Sequence, residues 1–170
     1  MKHVLLVTAA FAALALSAAC SPNSADAAAK GQGSAATAAA ASARHPVSGL
    51  EVVPLTIVSG GKPHVFRVEL ARSSQEQAQG LMFRTAMGAD EGMIFPMEPN
   101  RQASFWMKNT VIPLDLVFIA PDRRIESVAA DAVPYSLDPI TSQGRVAAVL
   151  ELNGGRAAEL GLRPGDRVEW

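Results

Sequence analysis

Two carboxylates in this chain stand where carboxylates are rare. Asp115 lies in Ile112-Pro113-Leu114-Asp115-Leu116 and Glu151 in Leu150-Glu151-Leu152, each flanked by leucines in a run that reads as a buried strand. A carboxyl group taken out of water needs a cation or hydrogen-bond donors beside it. Two cations stand in comparably apolar surroundings: Arg84 closes Gly80-Leu81-Met82-Phe83-Arg84, and Lys108 lies within Phe105-Trp106-Met107-Lys108-Asn109-Thr110. These types admit three uses. They can form an ion-pair network that fixes strand register. They can line a site for a small polar ligand or partner, formed by Arg84, Trp106, Lys108, Asn109, Asp115 and Glu151. They can also serve a hydrolase or other enzyme acting on an envelope or carbohydrate substrate. There Asp115 or Glu151 would be the general base, and Lys108 or Arg84 would stabilise developing negative charge. Burial separates the three, because a sealed set with every partner satisfied is architecture and one that adjoins a cleft is a site.

Other chemistries have less behind them. All five methionines after Met1 fall between Met82 and Met107, and thioethers are soft ligands that suit Cu(I). Met82, Met93 and Met107 sit beside Phe or Trp, however, where methionine fills core gaps, and no paired histidine accompanies them. His45 and His64 fall in a tether and at a hairpin, and both are expected to be solvated. Asn153-Gly154-Gly155 before a helix offers backbone amides to an anion, or is simply a tight strand-to-helix turn. No metal and no cofactor is expected.

The ends of the chain bound its location. Met1-Lys2-His3 followed by the apolar run Val4 to Ala19 has the form of a signal peptide, too short for a stable membrane span. Cys20, the only cysteine, follows Leu16-Ser17-Ala18-Ala19, which resembles a bacterial lipobox with its leucine one position early. Lipidation at Cys20 would make an exported, periplasmic lipoprotein anchored by acyl chains alone. Plain cleavage after Ala19 or within Ala25 to Ala29 is the alternative. Residues 21–49 are rich in Ala, Ser and Gly and bury too little to order themselves, so they read as a flexible tether. With Cys20 outside the domain, a cysteine nucleophile or thiolate metal site is excluded there. From Leu50 onward 2 lysines and 10 arginines face 15 acids, a net charge of −3, without a basic tract to follow phosphates. Nucleic acid is not an expected partner, and a monomer is assumed.

The elements that must position these residues are mostly strands. Val52 to Val58 and His64 to Leu70 form a hairpin about Ser59-Gly60-Gly61-Lys62, with Pro54 marking an edge strand. Ser73 and Glu76 form a capping box for a short helix over Ser74 to Gln79 that Gly80 ends. Gly92 to Phe95 is apolar, Pro96 to Asn100 is turn-prone, and Ala103 to Thr110 reads as a strand. Its alternation would put Phe105, Met107 and Asn109 on one face, with Trp106 and Lys108 on the other. Leu114 to Ala120 and Ile125 to Val128 make a second hairpin, and Asp131 to Thr141 is a loop. Arg145 to Leu152 is a strand, a short helix runs to Leu160, and Pro164-Gly165-Asp166 turns into a last strand ending at Trp170. The likeness of Gly161 to Asp166 to the end of a PDZ domain is shared turn chemistry. The expected fold is mainly β, a compact sandwich or barrel-like domain over residues 50–170 with two short helices.

The motifs around Arg84, Lys108, Asp115 and Glu151, together with Gly92-Met93-Ile94-Phe95 and Leu152-Asn153-Gly154-Gly155, resemble in order and spacing the domain-of-unknown-function 192 (DUF192) family. The resemblance runs from about Val52 to the C-terminus. It implies a compact, mainly β domain, often exported in bacteria, with no established activity.

Overall fold

A computed structural model describes residues 43–170; the signal segment, Cys20 and the tether up to residue 42 lie outside the described residues. In chain order the elements are β1 (Val52–Ser59), β2 (Lys62–Leu70), α1 (Ser74–Gln79), β3 (Glu91–Phe105), β4 (Leu114–Ile119), β5 (Ile125–Ala132), β6 (Ile140–Asn153), α2 (Arg156–Leu160) and β7 (Arg167–Glu169). The seven strands form one sheet in the order β5-β4-β6-β3-β2-β1-β7. Its two ends meet at one corner, where Ile125 N–H donates to Asp166 O and Val168 N–H to Arg123 O, both at 2.8 Å. The sheet is thus curled towards a barrel, and the expected mainly β fold with two short helices is what forms.

The curl sorts the apolar residues. One core cluster takes residues from all seven strands, among them Leu55, Phe66, Ile94, Val117, Ile125, Leu150 and Val168, and so fills the inside, with Ala157 of α2 over it. The second lies on the outer face of β3, β4 and β6, where Met93, Phe95, Leu116, Phe118 and Val149 are roofed by Leu81 and Met107 from loops. A strand covered on both faces loses the polar alternation of a half-exposed one, and β4 is buried at every position. That is why Leu114 to Ile119 reads as continuous apolar sequence, and why Asp115 within it stands out.

Three local expectations change. Pro96 to Asn100 does not turn the chain: β3 continues through it, with a register shift against β6 between Pro96 and Arg101. The fourteen-residue β6 pairs on both sides of this irregularity and carries the strand across it. The strand read over Ala103 to Thr110 ends at Phe105 instead, since Asn109 takes the left-handed region (φ 55°) and Thr110 N–H bonds back to Met107 O at 3.0 Å. Strand parity therefore does not govern Trp106, Lys108 and Asn109. Finally, residues 43–49, which composition assigned to the tether, fold onto the domain. Arg44 bridges Glu51, His45 N–H donates to Leu50 O, and Gly49 N–H donates to His45 O.

The hairpin, α1 and the last strand follow the sequence closely. Ser73 Oγ accepts from Glu76 N–H at 3.2 Å while Glu76 returns the bond to Ser73 N–H at 2.7 Å, a complete capping box. β1 pairs with β7 only over Thr56 to Val58, so Pro54, which has no N–H to give, lies beyond that pairing.

Candidate functional site

Asp115 is fully buried, and both of its carboxyl oxygens are occupied by backbone donors. Oδ1 accepts from Asp131 N–H at 2.9 Å and Gly155 N–H at 3.0 Å, and Oδ2 accepts from Ala157 N–H at 2.7 Å. Gly155, with φ 81°, lets the chain turn its amides inward after β6. In the Asn153-Gly154-Gly155 turn, Gly155 N–H is thus taken by the chain's own Asp115 and Gly154 N–H by Pro113 O. Asp115 ties β4, the end of β5 and the start of α2 together, and Lys108 takes no part in it.

Glu151 is also buried, at 5% exposure, but among the described residues no hydrogen bond or ion pair reaches its carboxyl group. Burial pushes that group up to about 8. It stands in a row across the outer sheet face, with Met93 of β3 opposite it on one side and Leu116 of β4 on the other. Two residues on, Asn153 Nδ2 donates to Met87 O and Gly88 O at 3.1 and 2.9 Å and pins the 85–90 loop to the same sheet face.

Arg84 pairs with neither of these carboxylates. It reaches Glu69, which lies opposite Met93 in that same row, by Nη1 to Oε1 at 2.8 Å and Nη2 to Oε2 at 3.1 Å. Ser48 Oγ donates to Glu69 Oε2, and His45 Nδ1 stands 3.5 Å from the same oxygen. Glu69 is thus held by Arg84 and by the 43–49 segment, which was expected to be tether with a solvated His45. Alternation along β2 puts Glu69 on the side of Val65 and Arg67, away from Phe66, Val68 and Leu70, and only Arg84, an isolated cation in an apolar motif, hints at a buried partner. His45 and Ser48 gave no local signal, because their contacts run from a low-complexity end to Glu69 on β2 and, for His45, on to Arg84 39 residues away.

Beside this cluster lies an open cleft of about 850 Å³. Ser48 and Leu50 form one side of it, Gln75 and Gln79 of α1 another, and Phe83, Arg84 and Thr85 a third. Phe83 adopts φ 62°, a conformation disfavoured for a bulky residue, and its side chain is exposed. Its N–H donates to Asn109 O at 2.8 Å, while Asn109 Nδ2 reaches Met82 Sδ at 3.8 Å. The Asn109 loop thereby fixes the cleft's third wall. Lys108 lies over the exposed Trp106 ring, 5.3 Å from its centroid. Of the six residues singled out from sequence, Arg84, Asn109, Lys108 and Trp106 belong to adjoining loops, whereas Asp115 and Glu151 are buried in two separate environments.

The methionines divide similarly. Met93, Met97 and Met107 are buried in the outer core with Phe95 and Phe118, and Met87 packs against them. Among the described residues no group of three or more His, Cys, Asp or Glu side chains is placed to hold a metal.

Comparison with known proteins adds a family and two neighbours. Residues 55–170 match the DUF192 family, described as an uncharacterized ACR. A crystal structure of a protein of unknown function from Novosphingobium aromaticivorans DSM 12444 is similar at 59% identity and TM-score 0.75, over 78% of this chain and 94% of that one. A crystal structure from Sinorhizobium meliloti 1021, provisionally named a transcription regulator, is similar at 42% identity and TM-score 0.69, over 71% of this chain and 94% of that one. No curated protein matches the chain.

Proposed function

The chain belongs to the DUF192 family, and from the cleft walled by Arg84 we propose that this member is an exported, envelope-tethered domain that binds a small polar ligand there. The observation that carries the reading is the pairing of an open cleft of about 850 Å³ with a guanidinium fixed at its wall by Glu69. A cation whose rotamers are already locked loses little entropy on meeting a ligand. The amides of Gln75 and Gln79 supply orienting hydrogen bonds, and the exposed Phe83 ring supplies an apolar face, a combination suited to polar molecules with one flat apolar side. The signal-like segment Met1 to Ala19 and the lipobox-like setting of Cys20 support a periplasmic domain on a lipid anchor. The enzyme reading finds less support, since Asp115 is enclosed by three backbone donors and Glu151 does not line the cleft beside Arg84. Binding to nucleic acid, suggested only by the provisional name of the Sinorhizobium protein, is opposed by the domain's net charge of −3.

The test is native mass spectrometry of the protein purified from its own envelope, beside the Gln75→Ala/Phe83→Ala variant, which alters only exposed cleft residues. A co-purifying small molecule present on the first and lost from the second is expected. Bare protein in both, with no binding of envelope saccharides or peptides by calorimetry, overturns the reading. Labelling with a palmitate analogue, compared with Cys20→Ala, tests the anchor separately.

A further inference from the structure

Six of the seven large apolar side chains left exposed among the described residues, Val47, Phe83, Trp106, Val133, Tyr135 and Leu137, lie on one connected group of loops. Three backbone bonds join these loops: Phe83 N–H to Asn109 O at 2.8 Å, Met107 N–H to Ser136 O at 2.9 Å, and Tyr135 N–H to Thr110 O at 3.1 Å. Trp106 and Leu137 line one shallow hollow, and Val47 and Phe83 line the cleft on the other side of the Asn109 loop. Phe83 and Tyr135 both have left-handed backbone, φ 62° and 63°. Strain of this kind persists only where the surroundings enforce it, and here it coincides with aromatic rings left in solvent. A contiguous set of exposed apolar residues marks an interaction surface.

We propose that these loops are a membrane-contact face that lays the domain against the lipid surface. Two observations select a bilayer as the occupant. The first is composition, since Trp106 and Tyr135 carry a polar atom on an apolar ring and Lys108 sits over Trp106, the side chains that settle at a lipid–water interface. The second is where the remaining chain attaches. The entry turn around His45 touches Arg84, with His45 Nε2 3.5 Å from Arg84 Nη1, immediately beside Phe83. The residues back to Cys20 would reach at most roughly 80 Å if extended, so an anchor there draws this side of the domain towards its leaflet. The inference rests on the envelope placement proposed above, but direct lipid contact is a separate property and is measured without the anchor. Of the three cations on these loops Arg84 is paired with Glu69, and Arg44 and Lys108 are offset in part by Asp138, so attachment is mainly apolar and persists at high salt.

Both core clusters consist of residues after Leu50, so residues 43–170 fold without the anchor and serve as the probe. Flotation with vesicles of phosphatidylethanolamine and phosphatidylglycerol, together with tryptophan emission, gives the readout. Residues 43–170 are expected to float with vesicles at low and high salt and to shift emission to the blue. Trp106→Ser/Leu137→Ser, with unchanged thermal unfolding, is expected to bind about tenfold more weakly or less for each apolar side chain removed. No flotation of the unaltered domain, flotation abolished by salt, or equal flotation of the variant each overturns the proposal. Flotation of residues 43–170 with no acyl label on Cys20 in the full chain would sink the anchor and leave the contact face standing.

Discussion

Arg84 and Glu69 meet in a two-point ion pair, Nη1 to Oε1 at 2.8 Å and Nη2 to Oε2 at 3.1 Å, with side chains only 11% and 4% exposed. Across the sheet, beyond Met93, Glu151 lies in the same row of residues, paired with no cation among the described residues. The chain therefore pairs the buried carboxylate that lies under the loop carrying Arg84 and leaves the other to be governed by burial alone.

A two-point pair at this depth is costly to break from one side, because the surviving charge stays out of water. Arg84→Met is expected to destabilise the domain by about 3 kcal/mol. Arg84→Met/Glu69→Gln, which removes both charges, should recover a substantial part of that loss. Urea unfolding of both single variants and the double variant measures the coupling, and strict additivity would show that the pair is not a unit.

Asp115 offers a contrast, with its partners all backbone. Asp115→Ala leaves Asp131, Gly155 and Ala157 N–H groups without an acceptor, at a cost of about 3 kcal/mol or more. Asp115→Asn keeps one oxygen and should fall between alanine and wild type. The cleft lies on another part of the domain, so Asp115→Asn is expected to retain whatever ligand the wild type carries. Loss of the ligand at unchanged stability would return Asp115 to the site.

The strands, both short helices and the burial of Asp115 and Glu151 were legible because each is a local signal: a capping box at Ser73 and Glu76, or a carboxylate between leucines. Partnership was not legible. Arg84 could be matched to Asp115 or Glu151 by chemistry, and only the parallel pairing of β2 with β3 shows that Glu69 comes beneath it. The Phe105 to Asn109 stretch misled because its alternation fits a strand, whereas backbone bonds to the 80–84 and 133–138 loops hold it as a connector. His45 and Ser48 were hidden by the composition of the segment in which they lie.

Among the described glycines, Gly92 shows the tightest approach. A Cβ there would lie 2.5 Å from the backbone oxygen of Glu151 and 3.1 Å from a Leu152 methyl. The oxygen belongs to a paired strand and cannot swing aside, so β3 and β6 would have to separate. Gly92→Ala is expected to cost about 2 kcal/mol or more in unfolding free energy. An alanine variant as stable as wild type would mean that this strand pair yields easily.

Glu151 makes stability depend on pH in an unusual direction. Its carboxyl group titrates near 4.5 when unfolded and at about 8 when buried in the native state. Between those values the folded protein holds a proton that the unfolded chain has released. The contribution is therefore fully present below about pH 4.5 and drains away as pH rises, at up to about 1.4 kcal/mol per pH unit, until the folded group ionises near 8. Glu151→Gln keeps the shape and removes the titration. The variant should match wild type near pH 5 and become progressively the more stable of the two towards pH 8. Urea midpoints across that range isolate the effect, since every other titrating group is common to both proteins. Curves that stay parallel would mean that the carboxyl finds water or a donor on ionising, and that its burial exerts no hold on the fold.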